Sequence, residues 1–212
     1  MVTNINKKDI RALTQDDLKD FIPYNRSMKE TKRSAIVEDW LPRYTGMPLK
    51  DFGSFVLLTN FSDYLEKFAR RFDIPVLGRG GPMQSATNEQ GITMINFGIG
   101  SANAATIMDL LSAVRPQAVL FLGKCGGLKK QVEIGYFVLP IAAIRGEGTG
   151  LDYYPIEVPA LPSFRLHDCV GHEMVKRKQE YRTGVVYTTN RRVWEWDEGF
   201  RAYLRKIRAI GI

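Results

Sequence analysis

The chain opens polar. Residues 1 to 34 carry charged and polar side chains and few large apolar ones, so one or two helices, loosely held or docked on a partner subunit, are expected there. VEDWLPRYTG (37–46) closes that segment with Pro42 and Gly46. From Phe52 the pattern changes. FGSFVLLTN (52–60) is a nearly continuous apolar run and predicts a buried strand. FSDYLEKFARRF (61–72) has apolar residues at 61, 64, 65 and 68, a helical spacing, with Arg70 and Arg71 in its last turn. PVLGRGGPMQSATNEQG (75–91) reads as a Gly-rich loop. ITMINFG (92–98) predicts a strand, and SANAATIMDLLSAVRP (101–116) a helix with Ile107, Met108, Leu111 and Val114 on one face and Pro116 as its stop. QAVLFLG (117–123) is another buried strand, and EIGYFVLPIAAIRGEGTG (133–150) is one strand or two ending in a Gly-rich loop. Residues 151–167 hold prolines 155, 159 and 162 and read as irregular. A helix over 172–182, a strand over 183–190 and a helix over 198–210 follow, and the final IGI has the character of a strand just beginning.

Strands alternate with helices, and the strands are apolar throughout rather than on alternate positions. That combination predicts an α/β fold: a mixed, mainly parallel sheet covered by helices on both faces. The domain organisation read from it is a polar helical segment over 1–36 and a single α/β domain over 37–212. Sheets of this kind bind ligands beyond the carboxyl ends of their strands. The segments there are TNF, GIGSAN, GKCGG, RGEGTG and TTNRRVW, each rich in Gly, Asn, Thr or charge.

Composition narrows the function classes. With 212 residues, 44% hydrophobic and 25% charged, the chain has the material for one domain with a substantial core. It has no apolar run of about 18 residues, so no membrane span is expected, and the first ten residues lack the apolar stretch of a secretory signal. Cys125 and Cys169 have no metal-site spacing, and His167 and His172 are the only histidines, so neither a metal nor a cofactor is expected. Reduced thiols point to the cytoplasm. The net charge is +7, with the excess greatest between Lys176 and Arg208, where ten Lys/Arg face four Asp/Glu. The basic residues are spread out and no nucleic-acid-binding signature accompanies them, so a cationic surface with a site for a small anion is favoured over nucleic-acid binding.

The glycine-rich strand ends carry the candidate chemistry. GKCGG (123–127) is not a phosphate loop of the P-loop type, because Ala118 stands where its first glycine belongs and Cys125 where Ser or Thr belongs. Glycines at a strand end either make a turn or let a flat or charged group approach the backbone. GIGSAN (98–103) has two glycines of a dinucleotide fingerprint but Asn103 at the third place, and no acid occurs between Asp109 and Glu133. The helix that it opens still offers backbone N–H groups to a ligand. TTNRRVWEWD (188–197) offers either a surface turn with one buried tryptophan, or an aromatic plate beside an arginine. Cys125 reads as a small core residue more readily than as a nucleophile.

Taken together, INFGIGSANAATIMDLLSAVRPQAVLFLGKCGGL resembles the core of the nucleoside phosphorylase superfamily. More narrowly, RYTG, LLTNF, GKCGGL and VYTTNRRVWE resemble the AMP nucleosidase family in their order along the chain, from about Trp40 to Ile212. The resemblance implies a nucleoside phosphorylase-like fold closed towards a distorted barrel. It also implies hydrolysis of AMP to adenine and ribose 5-phosphate, and homo-oligomers with sites near subunit contacts. It places Asn60, Gly98, Ile99, Gly100, Lys124, Cys125, Gly126, Gly127, Thr188, Thr189 and Asn190 around the base and sugar, and makes Arg43, Arg191 and Arg192 candidates for the 5′-phosphate. The related phosphorylases carry an arginine for inorganic phosphate and a serine before the cysteine, where this chain has Phe121 and Lys124. That difference favours water over phosphate as nucleophile. In the family a later strand carries a Met-Glu pair for the ribose hydroxyls and another ends in the catalytic Asp, so the general acid is expected beyond Ile212 and the domain is expected to be incomplete at its C-terminus. Glu147 and Asp152, near Gly-rich loops inside the chain, read as solvated loop acids more readily than as substitutes for it. A purine nucleoside phosphorylase and a non-catalytic nucleotide-binding protein are the alternatives.

Overall fold

The computed structural model describes residues 26–212 apart from Gln131. The helices expected over 1–34 therefore lie largely outside the described residues. Contacts divide the chain into two units, Met1–Ile36 and Val37–Ile212; the sheets and the candidate site belong to the second. Helix α1 (Arg26–Thr45) runs past Pro42, where the sequence pattern suggested an ending. The proline forfeits one N–H, but Leu41 and Thr45 around it are fully buried, and that packing carries the helix one turn further. The Gly46 amide closes the turn onto the Pro42 carbonyl at 2.8 Å. Gly46 has φ +71°, and a Cβ there would stand 2.4 Å from the Gly78 amide, so no other residue fits.

The first sheet holds β1 (Phe55–Thr59), β2 (Gln84–Thr87), β3 (Ile92–Asn96) and β4 (Ala118–Phe121) in the order β2-β3-β1-β4. β1 runs parallel to β3 and β4, and β2 is antiparallel to β3. Helices α2 (Ser62–Phe72) and α3 (Ser101–Leu110) follow β1 and β3 as predicted. β2 falls in the segment expected to be a loop. Gln-Ser-Ala-Thr carries no apolar signal; it becomes a strand because the turn at Asn88 folds it back on β3. The Asn88 Oδ1 accepts the amides of Gln90 and Ile92 at 3.1 and 3.0 Å, which is local turn chemistry of the Asx kind.

The sheet is covered on both faces. Val37, Leu41, Val56, Leu58, Ile95, Ile107 and Leu110 form one core cluster, and Leu65, Phe68, Ala69, Ala86 and Met94 form the other. β1 divides its side chains between them, Val56 and Leu58 to one and Leu57 to the other, as the two-residue period of a strand requires. Each fully buried aliphatic side chain contributes about 1.5–3 kcal/mol relative to exposure, and these clusters fix where the strand ends point.

The second sheet pairs β5 (Phe137–Gly146) with β6 (Tyr181–Thr189) in parallel, with an irregularity between Pro140 and Ala142. Helix α4 (Phe164–Lys176) lies between them and α5 (Glu198–Lys206) follows. α4 sits eight residues earlier than the spacing suggested: it begins directly after the last proline, Pro162, and Lys178 at φ +54° turns the chain into β6. The final residues behave as the start of a strand. The Ile210 amide donates to Val185 and the Tyr187 amide to Gly211, alongside β6; on their other side the Gly126 and Ile212 backbones exchange bonds of 2.8 and 3.0 Å. The GGL that follows β4 thus joins the second sheet through residues 210–212. The result is the mixed, mainly parallel α/β architecture flanked by helices that the sequence predicts, its strands shared between two sheets rather than drawn into one ladder.

Candidate active site

The register of the first sheet brings the carboxyl ends of β1, β3 and β4 level: Thr59 lies beside Asn96 and Leu58 beside Phe121. Asn60, Gly98–Gly100 and Lys124 therefore leave the sheet at one edge. Two further ties bring in the second sheet. The Ser101 hydroxyl is 2.8 Å from that of Thr149, and the Tyr153 hydroxyl donates to Asp109 at 2.8 Å, which holds the loop after β5 against α3. At the end of that sheet Gly146 pairs with Thr189. The structure thus gathers the strand-end loops that the sequence singled out along one edge of the domain.

Within that edge the candidates differ in what they have left to offer. Gly98 and Gly100 have φ +79° and +109°, and the Cβ position of Gly100 has open space within 4 Å. Ile99 between them is 83% exposed. The Asn103 amide donates to the Ile99 carbonyl at 3.2 Å and so holds the loop in that shape. This is a rigid, open turn over which a sugar or base can lie. Gly126 and Gly127 are different. The Gly126 backbone is already paired with Ile212, and a Cβ on Gly127 would stand 2.4 Å from the Val132 carbonyl. The bareness of Gly127 serves close chain packing, while a Cβ on Gly126 would meet only Ile212 at 3.6 Å. Cys125 lies against Gly211 with part of its surface exposed, and partial desolvation pushes its thiol up, which disfavours the thiolate that a nucleophile needs.

The cations sort in the same way. Arg43 pairs with Asp39 at 3.0 Å one turn back on the exposed face of α1. Arg191 grips Asp197 with both terminal nitrogens, at 3.1 and 3.0 Å, and lies 4.5 Å above the Phe200 ring. Arg192 is exposed in the turn after β6. The Lys124 ammonium rests over the rings of Phe61 and Tyr64, 4.5 and 5.4 Å from their centroids, a contact worth about 0.5–1 kcal/mol at an exposed site. Phe121 packs on Phe97 at 5.9 Å and makes an apolar wall at the end of β4.

Other sequence candidates are engaged in the fold. Trp194 packs edge-on against Phe200 and belongs to an aromatic cluster with Tyr187 and Tyr203, whereas Trp196 is exposed. Both carboxylate oxygens of Glu147 accept the Gly150 amide, and Asp152 sits in a short turn of helix, exposed. Thr188 and Asn190 are exposed at the end of β6, and the Thr189 hydroxyl accepts the Arg191 amide at 3.0 Å. One feature has no sequence signal: the buried Oδ1 of Asn60 has no hydrogen-bond partner among the described residues, and a buried acceptor without a donor is rare in a folded protein. Among the described residues no group of His, Cys, Asp and Glu is placed to hold a metal, and no helix is long and apolar enough to cross a membrane.

Comparison with known proteins agrees with this arrangement. An AMP nucleosidase from Escherichia coli is 32% identical over 73% of this chain and 41% of its own length, so the chain spans about two fifths of that curated relative. A solved structure of AMP nucleosidase from Bacteroides thetaiotaomicron is 56% identical, with a TM-score of 0.82 over 84% of this chain and 78% of that one. A solved uridine phosphorylase from Vibrio fischeri, at 19% identity, shares the fold with a TM-score of 0.70 over 77% of this chain and 70% of its own. Residues 54–212 match the family model described as the phosphorylase superfamily. The strands, the open glycine turn and the Gly-x-Cys-Gly-Gly strand end all lie within that match, and the chain belongs to the phosphorylase superfamily.

Proposed function

We propose that this domain serves hydrolysis of the N-glycosidic bond of AMP, giving adenine and ribose 5-phosphate, in purine nucleotide turnover in the cytoplasm. The observation that carries the reading is the 56% identity to a solved AMP nucleosidase across 84% of the chain. The apolar wall of Phe97 and Phe121 supports it, because an inorganic phosphate nucleophile needs cations where these rings stand.

Cleavage of the bond builds oxocarbenium character on the ribose and negative charge on the departing adenine. The open turn Gly98–Gly100 lies along the sugar, with Ile99 as its apolar cover, and Thr188, Thr189 and Asn190 border the base. Water adds to the anomeric carbon, and a proton delivered near N7 neutralises the leaving base. That acid is not assigned to Glu147, whose carboxylate is turned onto its own loop. Binding energy from the distant 5′-phosphate orients the ribose for attack. The active form is a homo-oligomer in this reading.

The test is chromatographic. The full chain is incubated with AMP without phosphate, and adenine, ribose 5-phosphate and ribose 1-phosphate are quantified. Adenine with an equal amount of ribose 5-phosphate is the expected outcome. Cleavage that requires added phosphate and yields a sugar 1-phosphate would establish a phosphorylase instead.

A further inference from the structure

We propose that Lys124 is the cation that receives the phosphate group of the nucleotide substrate, with Phe61 and Tyr64 as the seat on which its ammonium rests until that anion arrives. The inference rests on the nucleotide-cleaving reading and names the residue that gives it preference for a 5′-phosphate.

The cations of this edge compete for the role; partners set aside Arg43 and Arg191, and Arg192, exposed in the turn after β6 and in no ion pair among the described residues, yields to Lys124 on position beside Asn60. Arg43 and Arg191 are each neutralised by a carboxylate, Asp39 and Asp197. An anion recruited to either must first break an ion pair. Lys124 makes no ion pair among the described residues. Asp63, the acid on the same turn of α2 as its aromatic seat, is already held by Lys67 at 2.8 Å. The Lys124 contact with the Phe61 and Tyr64 rings is a weak one, and a charge-assisted hydrogen bond to a phosphate oxygen is the stronger alternative. An ammonium on a flexible stem has three donors and can leave a ring face with little rearrangement of the backbone.

Position supports the same assignment. Lys124 leaves the sheet three residues after β4, beside the end of β1, where Phe61 begins the turn into α2. The residue before that phenylalanine is Asn60, whose buried Oδ1 lacks a donor among the described residues. A polyhydroxylated ligand supplies such a donor through a sugar hydroxyl or an ordered water. Among the described residues, one short stretch of the edge thus combines a cation in no ion pair, which only shares the field of Asp63 with Lys67, and an acceptor with no donor, the pair of functions that a sugar phosphate complements.

The experiment compares AMP with adenosine on the full chain, by calorimetric binding and by adenine release, for the wild type, Lys124→Met and Lys124→Arg, with melting curves to confirm folding. Lys124→Met is expected to weaken AMP binding about 10- to 100-fold, the range of a lost charge-assisted bond, and adenosine binding much less. Lys124→Arg is expected to keep most of the preference for AMP, which also guards against a misfolded Met variant. Equal weakening of AMP and adenosine overturns the proposal and makes Lys124 a loop anchor only. A wild type that does not distinguish AMP from adenosine overturns it too. So does a Met variant that loses only a phosphate-dependent cleavage of adenosine, since the cation then serves free phosphate. Lys124-dependent AMP binding without adenine release sustains this inference and removes the hydrolytic one. Undiminished hydrolysis of AMP by the Met variant does the reverse.

Discussion

At the scale of single residues, environment separates side chains of the same type. Cys125 and the glycines around it invite a nucleophile reading, but partial desolvation of this exposed residue raises the thiol. Alkylation by iodoacetamide near neutral pH, followed by mass spectrometry, is therefore expected to be slower at Cys125 than at a free thiol of ordinary pKa; rapid alkylation there would contradict the burial argument. Asp197 shows the opposite shift. Its carboxylate accepts the Phe200 amide at 2.8 Å and the Arg191 guanidinium, and both hold it below the usual carboxylate range. Because its folded pKa is lower than its unfolded one, the charge contributes stability that is complete above the unfolded value, about 3.9. That contribution is lost as pH falls through the lowered folded value. Asp197→Asn keeps a helix-capping side chain but not the charge. Its melting temperature is expected to lie below that of wild type at neutral pH and to converge on it in acid.

At the scale of elements, what the sequence made legible depended on whether the signal was local. α2 and α3 carry their apolar residues at helical spacing, and the strands β1, β3 and β4 are apolar at most positions, so each was readable. β2 was not, since Gln84–Thr87 is polar and small and pairs only because the Asn88 turn presents it to β3. α4 was displaced because the prolines of 155–162 masked a helix that begins as soon as they end. The adjacent glycines of GKCGG also looked equivalent in the sequence and are not so in the fold. Gly127→Ala forces a Cβ to within 2.4 Å of the Val132 carbonyl, and is expected to cost about 1–3 kcal/mol in chemical denaturation. Gly126→Ala meets Ile212 at an ordinary 3.6 Å and is expected to fall within about 0.5 kcal/mol of wild type. Equal losses in the two variants would mean that the glycines act through chain entropy rather than through this contact.

At the scale of the whole molecule, the phosphate independence proposed above rests on the assembled edge and not on any one residue. Its basis is the apolar Phe97–Phe121 wall at the end of β4. The sequence by itself determined the alternation of apolar strands and helices, hence an α/β sheet with ligand loops at its carboxyl edge, because hydrophobic periodicity is written in neighbouring residues. It also named the loops, since glycine and asparagine at strand ends are local features. Only the tertiary structure decided which of the named residues are still free to act. Arg43 and Arg191 are paired with carboxylates, and the Gly126 backbone is paired with Ile212. Asn60 and Lys124 are left with unmet hydrogen-bonding capacity among the described residues. Pairing of this kind joins residues far apart in the chain, and a linear pattern carries no record of it.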